Sequence, residues 1–213
     1  MLTWNDFYEA LKFEMNKGDL YDTLRQSKTF QALRMFEQNW TYQYMDQQAI
    51  LTVHPGQREV TLPPGIKTLR CVKLNGVNLE ELNPHKFMPG GNGTPTGYVK
   101  QGDCKIWLDN APDEEIKLWV FYELFTLRHQ LDPQAGHPML EHGWAPLLGQ
   151  VMKLMAPTAR EPAWIELYGP QVEEGIHTLH VWDEEERMRN STVVFGSGNS
   201  EESSGSQSQS ESD

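Results

Sequence analysis

Arg58-Glu59-Val60-Thr61-Leu62-Pro63-Pro64-Gly65 opens a block in which apolar residues recur at every second position, and Ile116-Lys117-Leu118-Trp119-Val120-Phe121-Tyr122 closes it. A period of two is the signature of strands. Between these ends, residues 67–74, 98–100 and 105–108 read as further strands, and Asn75-Gly76 is a favoured tight-turn dipeptide. Residues 49–54 come just before the block, and Pro55-Gly56 reads as the turn of a hairpin pairing them with 58–62. In the closing strand, Ile116, Leu118, Val120 and Tyr122 share one face, while Trp119 and Phe121 share the other. A strand apolar on both sides is expected to be covered on both. The chain's own helices are one candidate cover and a neighbouring subunit the other. Residues 78–97 lose the period and gather Pro84, Pro89, Gly90, Gly91, Gly93, Pro95 and Gly97, so a long loop is expected there.

Outward from this block the period becomes helical. Thr3 and Asp6 form a capping-box start in which Asp replaces the usual Glu or Gln. Trp4, Phe7, Tyr8, Leu11 and Met15 follow at helical spacing, and Gly18 is a natural stop. A second helical region spans about 20–40 and carries Phe30, Leu33, Phe36 and Trp40 on one face. On the other side, Pro138 suits a first helical turn. A stripe of Leu140, Trp144, Leu147, Leu148, Val151 and Met155 follows, interrupted at Gly143 and Pro146, and Ala156-Pro157 reads as its end. A last helix starts near Pro162 and is expected to fade in the charged run 183–189. From Asn190 the composition collapses to Ser, Gly, Gln, Glu and Asn, which cannot bury enough apolar surface to order itself. Val193, Val194 and Phe195 form one apolar island in that tail. The expected class is α+β, a helical bundle built from the N- and C-terminal helices around a central antiparallel β domain. Its segments are 1–42, 43–128, 129–189 and an acidic Ser/Gly-rich tail at 190–213 that is disordered or ordered by a partner.

The net charge is −12, and Glu201, Glu202, Glu211 and Asp213 contribute four of those charges. No Lys/Arg cluster of the kind that neutralises nucleic-acid phosphates is present, so sequence-specific nucleic-acid binding is not expected. The two cysteines, Cys71 and Cys104, lack metal-like spacing and fit a reducing compartment. Neither a signal peptide nor a membrane-spanning run is read at the start of the chain. His137, Glu141 and His142 invite a zinc reading, but histidines five apart on a helix point in different directions. Gly90-Gly91-Asn92-Gly93 lies between strands and lacks the lysine of a phosphate loop. No catalytic, cofactor or metal site is therefore expected. Candidate partner-interface residues are Trp107 and Trp119, Phe121, Phe87 and Met88 in the 78–97 loop, and Val193, Val194 and Phe195.

The element order, together with Leu62-Pro63, Asn75-Gly76, Gly97-Tyr98, Leu108-Asp109-Asn110-Ala111-Pro112 and His137-Pro138-Met139-Leu140, resembles the head-to-tail adaptor family of tailed phages over roughly residues 3–188. The resemblance implies a structural virion protein of the neck, assembled in the host cytoplasm. Its copies would form a ring, commonly a dodecamer, between the portal protein and tail or nozzle proteins, with DNA passing through. It implies no enzyme, no cofactor and no membrane. A gatekeeper or other neck ring is the nearest alternative. A non-viral carbohydrate- or protein-binding module using Trp107 and Trp119 is a more distant one, and a hydrolase using His137, Glu141 or His142 more distant still.

Overall fold

The computed structural model describes residues 2–16, 22–102, 104–127 and 131–195, with backbone alone for 191–195. The first helix, α1 (Trp4–Met15), starts where the capping signal places it: the Thr3 side chain accepts from the Asp6 N–H, and the Asp6 carboxylate accepts from the Thr3 N–H at 2.8 Å. It ends at Asn16 in the left-handed conformation. Helix α2 (Asp22–Asn39) follows.

The β block consists of β1 (Asp46–Val53), β2 (Glu59–Thr61), β3 (Ile66–Leu74), β4 (Val77–Asn78), β5 (Glu80–Glu81), β6 (Gly97–Lys100), β7 (Lys105–Leu108) and β8 (Ile116–Leu124). They form two four-stranded sheets, ordered β1-β8-β3-β4 and β2-β7-β6-β5. All pairings are antiparallel except β5 with β6. The chain ends with α3 (Pro138–His142), α4 (Trp144–Ala159) and α5 (Ala163–Phe195).

Two cores result. The inner faces of the two sheets meet through Val72, Leu118 and Val120 on one side and Val60, Ile106 and Leu108 on the other, as in a sandwich. Trp4, Phe7, Leu11, Leu33, Leu147, Val151, Met155 and Leu179 fill the other core, so helical residues from both chain ends are buried together. The chain is therefore mixed α+β, with five helices and two largely antiparallel sheets among the described residues.

Several expectations change. Pro55-Gly56 does turn the chain, with Gly56 at a φ of 77° and its N–H bonded to the Pro112 carbonyl, but β1 and β2 are not a hairpin. They enter different sheets, β1 beside β8 and β2 beside β7. The inner face of β8 is covered by the second sheet rather than by helices, and its outer face is open, with Trp119 41% exposed. The 78–97 segment is less irregular than expected, since it contains β5 and a single 3-10 turn, Pro84–Lys86. Helix α4 passes Pro157 and ends at Ala159. Helix α5 neither fades in 183–189 nor stops at Asn190, and its backbone is helical through Phe195. The rest of the tail, 196–213, lies outside the described residues.

Candidate interaction surface

Alternation along β8 directs Leu118, Val120 and Tyr122 inward and Lys117, Trp119 and Phe121 outward. Register extends this outer row across the sheet: Trp119 lies opposite Ile50 of β1 and Lys73 of β3, and Phe121 lies opposite Gln48 and Cys71. Ile50 is 51% exposed. The Lys73 ammonium sits 5.1 Å from the Phe121 ring centre, a cation–π contact. Beside Phe121 a shallow hollow of about 620 Å³ is lined by Gln48, Arg70, Cys71 and Lys73. The result is an aromatic and aliphatic patch whose rim carries Lys73, Arg70 and Asp46. Burying an exposed Trp is worth more per residue than burying most other side chains, which suits Trp119 as an anchor.

The remaining sequence candidates lie elsewhere. Trp107 projects from the outer face of the other sheet, where its Nε1–H donates to Glu59 at 3.3 Å. Trp107 and Trp119 thus point away from each other on opposite sides of the sandwich and share no platform. Phe87 and Met88 follow the 3-10 turn and line a separate hollow of about 510 Å³ with Glu80 and Leu82, Met88 being 86% exposed. Val193, Val194 and Phe195 belong to α5 by backbone, and their side chains lie outside the described residues. Ile50 and Lys73 were missed by sequence reading. The signal for them lay in the period-two pattern of 46–53 and 66–74, but register alone reveals which neighbour each faces.

Polar clusters hold this sheet to the helices. Asp183 of α5 is fully buried; it accepts from the Gln43 N–H at 2.6 Å, Trp40 Nε1–H at 3.2 Å and Arg187 Nε–H at 2.9 Å. Arg187 also donates to the Thr41 carbonyl at 2.6 Å and pairs with Asp46 of β1 at 3.3 Å. Glu123 of β8 accepts from Thr41 at 2.9 Å and pairs with Arg70 at 2.7 Å. Nearby, buried Glu37 accepts from the Thr126 N–H and hydroxyl and from Tyr44, and Thr126 Oγ1 lies 3.1 Å from His137 Nε2. His137 Nδ1 accepts the Met139 N–H, which makes His137 the N-cap of α3, with its proton on Nε2. Burial pushes the Glu37 carboxyl up, against the lowering effect of its hydrogen bonds to Thr126. His142 stacks on Trp182 at 3.8 Å. Among the described residues no group of His, Cys, Asp and Glu has the arrangement of a metal site, and no helix is long and apolar enough to cross a membrane.

No protein-family model and no curated protein matches this chain.

Proposed function

We propose that this chain is a structural virion protein, a head-to-tail adaptor whose copies form a ring between portal and tail around the DNA channel. The observation that carries the reading is the open Ile50–Trp119–Phe121 face on a sheet fixed to the helices by buried polar contacts. A subunit whose work is assembly needs an aromatic surface held rigidly on its body, and rings need two different patches that meet head to tail. The sequence resemblance supplies the biological setting. In this reading the helices of both chain ends act as one bundle, the body of the ring subunit, and the β sandwich meets tail or nozzle proteins. The acidic charge suits a channel wall that does not hold phosphates. Asp183 has no part in such a wall, because it is buried, while Glu184 and Glu185 remain exposed.

The test is the copy number of this chain in purified particles, counted by quantitative mass spectrometry against the portal protein. A ratio near one to one is expected. Absence from the particles would overturn the reading.

A further inference from the structure

Strand β1 carries β8 on one side and, among the described residues, no strand on the other. An open edge is a row of unpaired N–H and C=O groups, and proteins usually guard it with Pro, Lys, bulges or brevity. Here Asp46-Gln47-Gln48-Ala49-Ile50-Leu51-Thr52-Val53 has no Pro, Gly, Lys or Arg, and it pairs with β8 over all eight residues without a register shift. The opposite edge of the same sheet is guarded: β4 has two residues, and β3 shifts register at 66/68 and 69/71. Within this sheet the long unguarded edge is therefore that of β1.

We propose that β1 is a docking strand for a second copy of this chain, the two β1 strands pairing antiparallel about a twofold axis through Ile50. Several registers bring like faces together, and the one centred on Ile50 sets the strand's exposed large apolar residue against itself. Partners in a sheet must face the same way, so the outward row Gln48, Ile50, Thr52 has to meet its own row. Centring on Ile50 does this: Ile50 meets Ile50, Gln48 meets Thr52, and the inward Ala49 meets Leu51. No like charges oppose each other, and Asp46 comes opposite His54 of the second copy. The two four-stranded sheets become one of eight strands, and the Trp119–Ile50 patches join into one apolar stripe across the axis. Arg187 reaches β1 at Asp46, its first residue, which leaves 48–52 open for pairing. The pairing does not depend on the adaptor reading. In the setting of that reading it describes the free chain before assembly.

Light scattering after size exclusion of the whole chain at micromolar concentrations tests this. A dimer is expected for the natural chain. Ile50→Lys sets two ammonium groups face to face at the axis and is expected to weaken the dimer by about 10-fold, with an unchanged circular dichroism spectrum. Ile50→Cys, in a Cys71→Ser/Cys104→Ser background, is expected to cross-link to its own copy with a short bifunctional thiol reagent, because opposed Cβ atoms in such pairs lie about 4.5–5.5 Å apart. A monomer at every concentration would overturn the proposal, as would an oligomer that survives Ile50→Lys and does not cross-link at 50. Either result leaves the count of copies per particle untouched, so this proposal and the adaptor reading fail separately.

Discussion

Tyr42 is fully buried, and among the described residues its hydroxyl has no hydrogen-bond partner. A buried polar group without a partner costs about 1–3 kcal/mol relative to a satisfied one. Tyr42→Phe is therefore expected to be neutral or to stabilise by up to about 1 kcal/mol, read as the shift of a urea unfolding midpoint. His137 makes the opposite kind of prediction. Burial holds its imidazole down to about 4, from an ordinary 6.5. The unfolded chain then binds a proton more readily than the native one, so His137 contributes stability that is fully present above pH 6.5 and lost as the pH falls toward 4. The loss approaches about 3 kcal/mol. Glu37 works against it, because a carboxyl raised by burial favours the native state as the pH falls through its folded value. Thermal unfolding followed from pH 7.5 to 4 is expected to show a decline that His137→Asn flattens, since Asn keeps the N-cap but carries no titrating ring. An equal decline in the variant would remove His137 from the account. The cap at Thr3 was legible in the sequence because its chemistry is local. The His137–Thr126–Glu37 contact was not, since Glu37 and Thr126 lie 89 residues apart.

At the scale of elements, turns and caps were read well and partners were not. Asn75-Gly76 gives the expected tight hairpin, with φ values of 51° and 82° and Leu74 opposite Val77. The space around Gly76 is empty, so a side chain there suffers only from the backbone conformation. Gly76→Val is expected to cost about 1–2 kcal/mol in chemical denaturation, while leaving the rest of the sheet intact. Pro55-Gly56 shows the limit of the same reasoning. Its turn chemistry fixes a reversal, but whether the departing strand pairs with the arriving one depends on which sheet has room for it. Helices α4 and α5 raise a related point. A Cβ on Gly149 would meet Val172 Cγ2 at 2.8 Å, and one on Gly175 would meet Pro146 at 2.7 Å. Both glycines are points of close helix approach that single-helix periodicity does not reveal. Gly149→Leu is expected to destabilise by more than about 2 kcal/mol, measured by thermal unfolding, because the side chain must push the two helices apart.

At the scale of the whole molecule, two apolar cores are joined by charged side chains. Asp183→Ala leaves Arg187 without its buried carboxylate and frees the Gln43 and Trp40 donors. Removing one partner from a buried network typically costs about 3–5 kcal/mol. A loss of that order is expected in the unfolding free energy of the variant, and a loss below about 1 kcal/mol would show that the clamp is not what holds α5 to the sheet. Removing residues 196–213 is expected to leave the melting temperature unchanged, since that segment holds no apolar residue to bury. By itself the sequence determined the α+β class, the capped first helix, the Asn75-Gly76 hairpin, the break at Gly143 and the alternation of β8, because each rests on contacts within a few residues. Tertiary structure alone decided that β1 and β2 part into different sheets, that Trp107 and Trp119 face opposite ways, that the charged run 183–189 stays helical, and that the outer face of β8 lies open. Those outcomes depend on which distant surfaces meet. A buried Asp183 and an exposed Glu184 read alike along the chain until the fold sets one against Gln43 and the other in solvent.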